Sequence, residues 1–262
     1  MPNGHGTALP QERLPDPSSV LAELTLTPRS GAEMGAAAGP AAAVPQYRIL
    51  RTLEVDEYDA PVAPAEILAL VVPRAAPPDN DFRGNSRKAA KLSIAAAATE
   101  TFHDLKDLID TLEAHDVMKN NPNLSTDRDN NRVEEERRNV RVTAFLYAAS
   151  REEDNDFHLI IGRDPTKAEK YLTVEVSGLP PSSSAHFAKL DAARDAYFEF
   201  FGDGLPGPSY DFYDPPIPVE IEGSLFFDMS HATGSRPGPN KLRPKMPVVW
   251  EIHPITKIVF EP

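Results

Sequence analysis

Polar residues, most of them acidic residues or histidines, recur two positions apart in three short apolar segments of the C-terminal half. The pairs are Asp156 and His158, Thr173 and Glu175, and Glu251 and His253. Side chains two positions apart in a strand point to the same side, so neighbouring strands could bring these groups together. Carboxylates and imidazoles that converge in this way can bind a divalent metal ion, and Asp228 or His231 could add a further ligand. The candidate metal ligands are therefore His158, Asp228, Glu251 and His253.

The same pattern has a simpler interpretation, which the sequence favours. Alternating polar residues on strands usually face solvent, and His253, which precedes a proline, can simply hydrogen-bond to backbone. No HExxH spacing supports a metal site. The polar pairs are accordingly expected to form a solvated face.

A second candidate site is the basic segment between the last two predicted strands. Its basic residues, spaced among glycines and prolines, are Arg236, Lys241, Arg243 and Lys245. Such groups could contact the phosphates of single-stranded nucleic acid while Phe145, Tyr147 or Tyr171 stacks on bases. The alternative, which we favour, is that the N-terminal part of the chain covers Phe145 and Tyr147 while the charges stay solvated or pair with carboxylates.

The composition is that of an acidic protein with a sizeable core. Of the 262 residues, 40% are hydrophobic, 27 are prolines and none is cysteine, which excludes a disulfide framework and a thiolate zinc site. Forty acidic and 27 basic residues give a net charge of −13, which repels phosphate backbones over most of the surface. Neither a secretory signal nor a long apolar run is present, so we expect a soluble, cytoplasmic protein with no membrane association.

The common enzyme signatures are missing from the chain. There is no GxSxG nucleophile, no GxxxxGK[ST] phosphate loop and no GxGxxG after a strand. We therefore predict no catalytic residue and no cofactor, and a non-catalytic protein rather than an enzyme.

Short strands and one helix account for most of the C-terminal half. The helix, over 187–201, carries an apolar stripe and ends at Gly202. The predicted strands cover residues 140–147, 156–162, 171–177, 219–227 and 248–260. Three strands, a helix and two strands match the connection order of the oligonucleotide/oligosaccharide-binding (OB) fold, a small five-stranded β-barrel. In that fold strands two, three and five are neighbours, which would bring the polar pairs together.

Three stretches resemble segments of uncharacterised bacterial proteins with an OB-fold-like β-barrel domain. They are DFHL at 156–159, GSLFFD at 223–228 and WEIHP at 250–254. The resemblance covers roughly residues 140–260. It implies a mainly β or α+β fold, with one helix between strands three and four, and it implies no activity.

The N-terminal half is predicted to have a different organisation from the C-terminal half. The predicted parts of the chain are a disordered Pro/Ala-rich tail at 1–45, an extension at 46–132 and the OB-like domain at 133–262. Within the extension, the pattern predicts two short strands, near 47–55 and 67–72, and helices over 87–98 and 102–117. Whether the extension forms a separate domain or packs on the barrel stays open.

Three functions remain open on the sequence alone. The first is a non-catalytic OB-like module that binds a protein partner. The second is single-stranded nucleic-acid binding through the loop 234–245, which Arg243→Ala would weaken. The third is a metal-dependent hydrolase that uses His158, Glu251 and His253. Neither the partner nor the oligomeric state is indicated.

Overall fold

A computed structural model of the protein describes residues 13–28, 46–56, 79–232, 234 and 236–260. These residues form a mixed β-sheet of eight strands with few helices. The strands are β1 (Val20–Leu26), β2 (Tyr47–Thr52), β3 (Thr99–Phe102), β4 (Asn139–Arg151), β5 (Phe157–Gly162), β6 (Tyr171–Val176), β7 (Asp211–Phe227) and β8 (Trp250–Phe260). The helices are α1 (Lys88–Lys91), α2 (Leu105–Ile109), α3 (His115–Lys119) and α4 (Phe187–Phe201).

The strand order in the sheet is β1-β2-β7-β8-β6-β5-β4-β3, and β4 also pairs with β7. The strands β4, β5, β6, β8 and β7 are therefore hydrogen-bonded in a closed ring. The sheet continues beyond this ring, through β2 and β1 on one side and β3 on the other. The predicted count of five strands is thus not confirmed, although each of the five predicted strands corresponds to one strand of the ring.

One set of alternating side chains from the ring strands forms the main hydrophobic core. Its fully buried members include Val140, Val142, Leu146, Phe157, Leu159, Leu172, Val174, Ile221, Leu225 and Ile252. Helix α4 packs against the same core through Ala193, Tyr197 and Phe201, as its apolar stripe predicts. Because each buried aliphatic side chain stabilises the fold by about 1.5–3 kcal/mol, this core is the main source of stability.

Strand β7 begins at Asp211 and not at residue 219 as predicted, so it includes Pro215, Pro216 and Pro218. Its register with β4 passes from Ile217 opposite Leu146 to Phe212 opposite Ala148. Residues 213–216 therefore form a bulge opposite a single residue of β4. Prolines lack an N–H donor, and a bulge is a place in a sheet where that donor is not needed.

Strand β1 lies within the predicted disordered tail, so that prediction is wrong for residues 20–26. It pairs antiparallel with β2, and β2 in turn pairs antiparallel with β7. These backbone hydrogen bonds supply the order that the composition alone does not indicate. The predicted strand at 67–72 lies outside the described residues.

The helices predicted over 87–98 and 102–117 are shorter and interrupted. The segment 99–102 is instead strand β3, which pairs in parallel with β4. The Asp104 side chain then accepts the N–H of Lys106 and caps α2. Leu105 and Leu108 are fully buried. The helical spacing of apolar residues thus reflects burial of several short turns, and not one continuous helix.

Gly223 lies at a bulge in β7, because the register with β8 shifts on both sides of it. A Cβ atom at this position would lie 2.4 Å from the Pro254 carbonyl oxygen and 2.6 Å from Cγ2 of Ile252. The backbone would have to move to accept it. We expect Gly223→Ala to lower the free energy of unfolding by about 1–3 kcal/mol, as measured by urea denaturation.

A suitable control is Ala185→Ser, which also adds one heavy atom but at an exposed position. It should leave the unfolding midpoint unchanged. Equal midpoints for the wild type and Gly223→Ala would show that the close approach of β8 does not restrict the side chain at position 223.

Candidate metal centre

The polar pairs predicted from the sequence lie on one face of the ring, opposite the hydrophobic core. His158 on β5 is paired with Glu175 on β6, and Thr173 on β6 is paired with Glu251 on β8. Residues two positions away from these share their face. The predicted convergence of the three strands is therefore confirmed.

This face is buried, so its interpretation as a solvated face is wrong. The polar side chains on it are at most 3% exposed; they are Asp156, His158, Thr173, Glu175, Glu251 and His253. The segment 79–95, which contains α1, covers one part of the face and places Lys91 among its carboxylates. The loop between β7 and β8 covers another part and places Gly238 against Ile160, two residues from His158.

A buried ion pair, Arg87 with Glu136, fastens the covering segment 79–95. Both side chains are fully buried, and hydrogen bonds of 2.6 and 2.7 Å join the guanidinium group to the carboxylate. Arg87 also donates to the carbonyl of Phe227 at 3.0 Å, and Glu136 accepts the N–H of Phe227 at 2.8 Å. The pair therefore attaches the start of α1 to the end of β7. Its charges are tolerated in the interior because they are paired and hydrogen-bonded.

Arg132 attaches the same segment to the backbone of β8. Its guanidinium group donates to the carbonyls of Ala90, Ser93 and His253 at 2.9, 2.8 and 2.6 Å, and also to that of Leu225. Burial lowers the pKa of Arg132 to about 10, which still leaves it charged at neutral pH. His253 is thus held in place through its backbone as well as its side chain.

Asp156, Glu175 and His253, which we call the first group, are close enough to share a ligand. Each offers one possible ligand atom, and these atoms lie within 4.8 Å of one another. His253 Nδ1 is 2.8 Å from Glu175 Oε2, and His253 Nε2 is 3.5 Å from Asp156 Oδ2. Asp156 Oδ2, Glu175 Oε2 and His253 Nδ1 nevertheless lack a well-aligned hydrogen bond among the described residues, because the short contact between Nδ1 and Oε2 does not have hydrogen-bond geometry. Buried polar atoms in this condition are costly, so these three atoms are candidate metal ligands.

Neighbouring polar groups orient the first group. Asp156 Oδ1 accepts the N–H of Gly178 at 2.6 Å, which directs the other oxygen of the carboxylate toward His253. Ser177 Oγ lies 3.1 Å from His253 Nε2. A hydrogen bond at one ring nitrogen fixes the orientation of the imidazole, and here it leaves Nδ1 directed at Glu175.

Two further groups continue the cluster. The second group is Asp228, His231 and Glu251, and the third group is Asp56, Glu152 and His158; within each, the ligand atoms also lie within 4.8 Å of one another. In the second group His231 Nδ1 contacts the Asp228 carboxylate, and Glu251 Oε2 lies 3.7 Å from Nδ1 of His253. The second group is therefore adjacent to the first.

In the third group, the histidine is paired with two acidic residues. His158 Nδ1 lies 2.7 Å from Glu152 and 3.0 Å from Asp56. Burial opposes the charge on His158, but these two acids outweigh it and raise the pKa of the imidazole well above its usual value. Burial likewise opposes the charge on Asp56, yet His158 and hydrogen bonds lower the pKa of that carboxyl to about 2. Asp56 and His158 thus form an ion pair. In the second group, burial opposes both charges, but His231 lowers the pKa of Asp228 and Asp228 raises the pKa of His231.

One ammonium group lies beside the first group. Lys91 Nζ is 3.7 Å from carboxylate oxygens of Asp154, Asp156 and Glu175. Burial opposes its charge, but these acids outweigh burial and raise the pKa of Lys91 well above its usual value. At 3.7 Å the ammonium group contributes charge but no hydrogen bond.

Burial and mutual repulsion shift the pKa values of the acids in the first two groups. Burial, reinforced by neighbouring carboxylates, raises the pKa of Asp156 and of Glu251 well above the usual range. Burial also opposes the charge on Glu175, but His253 and Lys91 outweigh it and lower the pKa of this carboxyl. Burial lowers the pKa of His253, although Glu175 acts in the opposite direction.

The four ligand candidates predicted from the sequence all enter this cluster, but in different groups. His253 belongs to the first group, Asp228 and Glu251 to the second, and His158 to the third. The predicted hydrolase set of His158, Glu251 and His253 therefore does not form one group.

Sequence reasoning missed Asp56, Glu152 and Lys91. Asp56 follows β2, Glu152 lies in the charged turn after β4, and Lys91 ends α1. None of them belongs to a strand alternation that could have indicated a role. Only the three-dimensional fold places them beside His158 or Asp156.

The four basic residues of the predicted nucleic-acid site lie in the loop between β7 and β8. Lys241 and Lys245 are exposed. The guanidinium groups of Arg236 and Arg243 donate to carbonyls of the loop itself, at 2.5 and 2.8 Å. Two of the four cations are therefore used to shape the loop.

The aromatic residues proposed for base stacking are poorly accessible. Phe145 is half-buried, and Tyr147 is 1% exposed. The ring of Tyr147 packs edge-on against Tyr171, with 5.0 Å between centroids, and its hydroxyl donates to the Arg163 carbonyl at 2.8 Å. Tyr147 would have to leave this packing to stack on a base.

The chain matches no protein-family model, no curated protein and no solved structure. Within the described ranges, no helix has the length and apolar character needed to cross a bilayer. The geometry of the polar cluster is the basis for the proposals below.

The ion pair of Arg87 and Glu136 gives a test of how the polar face is covered. Arg87→Met leaves a buried carboxylate without its partner, and we expect it to lower the free energy of unfolding by about 3–5 kcal/mol. The matched control is Arg137→Met, which removes a surface ion pair to Glu134 whose two side chains are 62% and 82% exposed. That control should change stability little. Chemical denaturation measures both variants, and equal losses would contradict a clamping role for Arg87.

Proposed function

We propose that this protein is a divalent-cation-dependent hydrolase whose cation is bound by Asp156, Glu175 and His253. The observation that carries the proposal is that these three residues offer ligand atoms within 4.8 Å of one another. Each of them also has a buried side-chain atom without a well-aligned hydrogen bond in the described part of the chain. Charges placed out of water are stable only when they are paired or bind a metal. A cation among these atoms would satisfy them together.

The donor set favours a particular class of ion. One imidazole and two carboxylates suit borderline metals such as Mn²⁺, Fe²⁺ or Zn²⁺, whereas Ca²⁺ and Mg²⁺ prefer all-oxygen sites. Three protein ligands also leave coordination positions for water and substrate, which is typical of catalytic sites.

Lys91 is the alternative source of positive charge, and its geometry does not satisfy the first group. The ammonium group lies 3.7 Å from Asp156 and Glu175, and the oxygens nearest to it still form no hydrogen bond. Lys91 reduces the repulsion between the carboxylates. It leaves their ligand atoms available.

The residues around the first group prepare it for hydrolysis. A bound divalent cation would lower the pKa of a coordinated water and polarise the bond to be cleaved. The contact between Ser177 and His253 holds Nδ1 toward the ligand position, and the hydrogen bond from Gly178 orients Asp156. The covering segment 79–95 limits solvent at the group, which strengthens its electrostatic interactions.

The finer fold assignment is also a proposal. We infer that β4 to β8 and α4 form an OB-like unit with extra strands at its margins. In its support, the pairing order β4-β5-β6-β8-β7 repeats the 1-2-3-5-4 order of that fold, and α4 follows the third of these strands. A non-catalytic OB-like binding module is the competing function, and metal analysis separates the two.

The test is metal binding followed by activity. After removal of metals by chelation and dialysis against Mn²⁺ or Zn²⁺, elemental analysis should find at least one ion bound per chain. Glu175→Gln and His253→Ala should each weaken binding of that ion at least 10-fold, because each removes a ligand. The controls Glu134→Gln and His103→Ala alter exposed residues of the same types and should bind like the wild type.

Hydrolysis is then measured on p-nitrophenyl acetate, p-nitrophenyl phosphate, bis(p-nitrophenyl) phosphate and a casein digest. We expect metal-dependent turnover of one class, which Glu175→Gln abolishes. Circular dichroism of each metal-free variant checks that it folds. No bound ion in a folded wild-type protein would overturn the metal site and favour the non-catalytic module.

A further inference from the structure

We infer that the polar cluster binds two cations, the second at Asp228, His231 and Glu251, and that its substrate is a phosphate ester. This inference rests on the proposed function and adds the metal count and the substrate class. Two-metal sites stabilise both the attacking and the leaving oxygen in phosphoryl transfer.

The second group also contains a buried atom without a hydrogen-bond partner among the described residues. Glu251 is 1% exposed, and its Oε2 atom has no hydrogen-bond partner among the residues described by the structure. The same carboxylate belongs to a set of ligand atoms that lie within 4.8 Å of one another. A cation bound by Asp228, His231 and Glu251 would give this buried carboxylate a partner.

The two groups are adjacent. Glu251 Oε2, in the second group, is 3.7 Å from His253 Nδ1, in the first group. In two-metal centres the ions lie about 3.5–4 Å apart, so that one carboxylate can contact both. Glu251, which adjoins both groups, would be the carboxylate able to do so.

The charge balance identifies the substrate class. The first two groups contain the carboxylates of Asp156, Glu175, Asp228 and Glu251. One divalent cation would leave these groups negative, and they would repel a phosphate. Two divalent cations would balance these four carboxylates, and Lys91 would balance the neighbouring carboxylate of Asp154. The centre would then no longer repel an anionic phosphate ester, and its cations would bind the phosphate oxygens, even though the chain has a net charge of −13.

Three side chains of the cluster are partly exposed: Lys91 at 13%, His231 at 16% and Glu152 at 23%. Lys91 lies beside the first group, whereas His231 and Glu152 belong to the second and third groups. The positive charge of Lys91 would attract the phosphate of an ester toward the first group.

The reaction would be hydrolysis of one P–O ester bond. The oxygen of a water forms a new bond to phosphorus, and the electron pair of the broken P–O bond stays on the leaving alcohol oxygen. One proton of the water passes to a carboxylate of the cluster, and the leaving oxygen receives a proton from Lys91 or from solvent. The products are an alcohol and a phosphate carrying one more oxygen.

Manganese alone is the probe for the second ion. Electron paramagnetic resonance of the full-length protein titrated with Mn²⁺ should show a spin-coupled pair, and elemental analysis should find two ions per chain. Asp228→Asn should reduce the count to one, remove the coupling and lower hydrolysis of bis(p-nitrophenyl) phosphate at least 100-fold. His231→Ala, at a partly exposed position, gives the same test if Asp228→Asn fails to fold. The control Asp116→Asn changes an exposed residue and should retain both ions.

The outcomes separate the two proposals. A single uncoupled Mn²⁺ that Glu175→Gln removes, with no cleavage of phosphate esters, would overturn the two-ion inference and leave the hydrolase proposal standing. Absence of any bound ion would overturn both. A coupled pair that survives Asp228→Asn and His231→Ala would show that the second ion is bound elsewhere.

Discussion

The burial of a dense set of carboxylates and imidazoles on one face of the sheet is the constraint on which the rest of the structure depends. Each charge removed from water costs several kcal/mol unless it is paired, so the covering segments must themselves be strongly attached. Arg87 and Arg132 provide that attachment through buried hydrogen bonds to Glu136 and to the backbones of β7 and β8. The Arg87 guanidinium group also lies 4.7 Å from the ring centroid of Phe226, in a cation–π contact.

The opposite face of the same strands gives the cluster its rigidity. Residues such as Leu159, Val174 and Ile252 alternate with the polar side chains and are fully buried in the hydrophobic core. A movement of a strand that displaced His253 would therefore also disturb the core packing. Ligands carried on strands in this way are held more firmly than ligands carried on loops. The packing of the core therefore holds the first group in place before any ion binds.

The strands of the C-terminal half could be predicted from sequence because their alternation is local. The residues Val140 to Leu146, for example, alternate over one strand and require no knowledge of the partner. The same reasoning identified the polar pairs and the fact that they share a face. Alternation reports which residues lie together, but it does not report whether another segment covers them. The expectation of a solvated face was wrong for that reason.

The contacts that cover the polar face join residues far apart in the sequence, and for this reason they could not be predicted. Arg87 binds Glu136, 49 residues away, and Arg132 binds the His253 carbonyl, 121 residues away. No pattern in the sequence links these positions, nor does any pattern place Lys91 beside Asp156. The apolar spacing around Leu105 and Leu108 predicted a long helix because burial in short turns produces the same spacing. The cover of the site is thus a property of the fold that only the structure reveals.

The most direct measurement is X-ray diffraction from crystals equilibrated with Mn²⁺, with data collected for the anomalous signal of the metal. We expect an anomalous peak within bonding distance of Asp156, Glu175 and His253, and a second peak against Asp228 and Glu251. An ordered cluster without any anomalous peak, in which Lys91 bonds directly to these carboxylates, would contradict a metal centre.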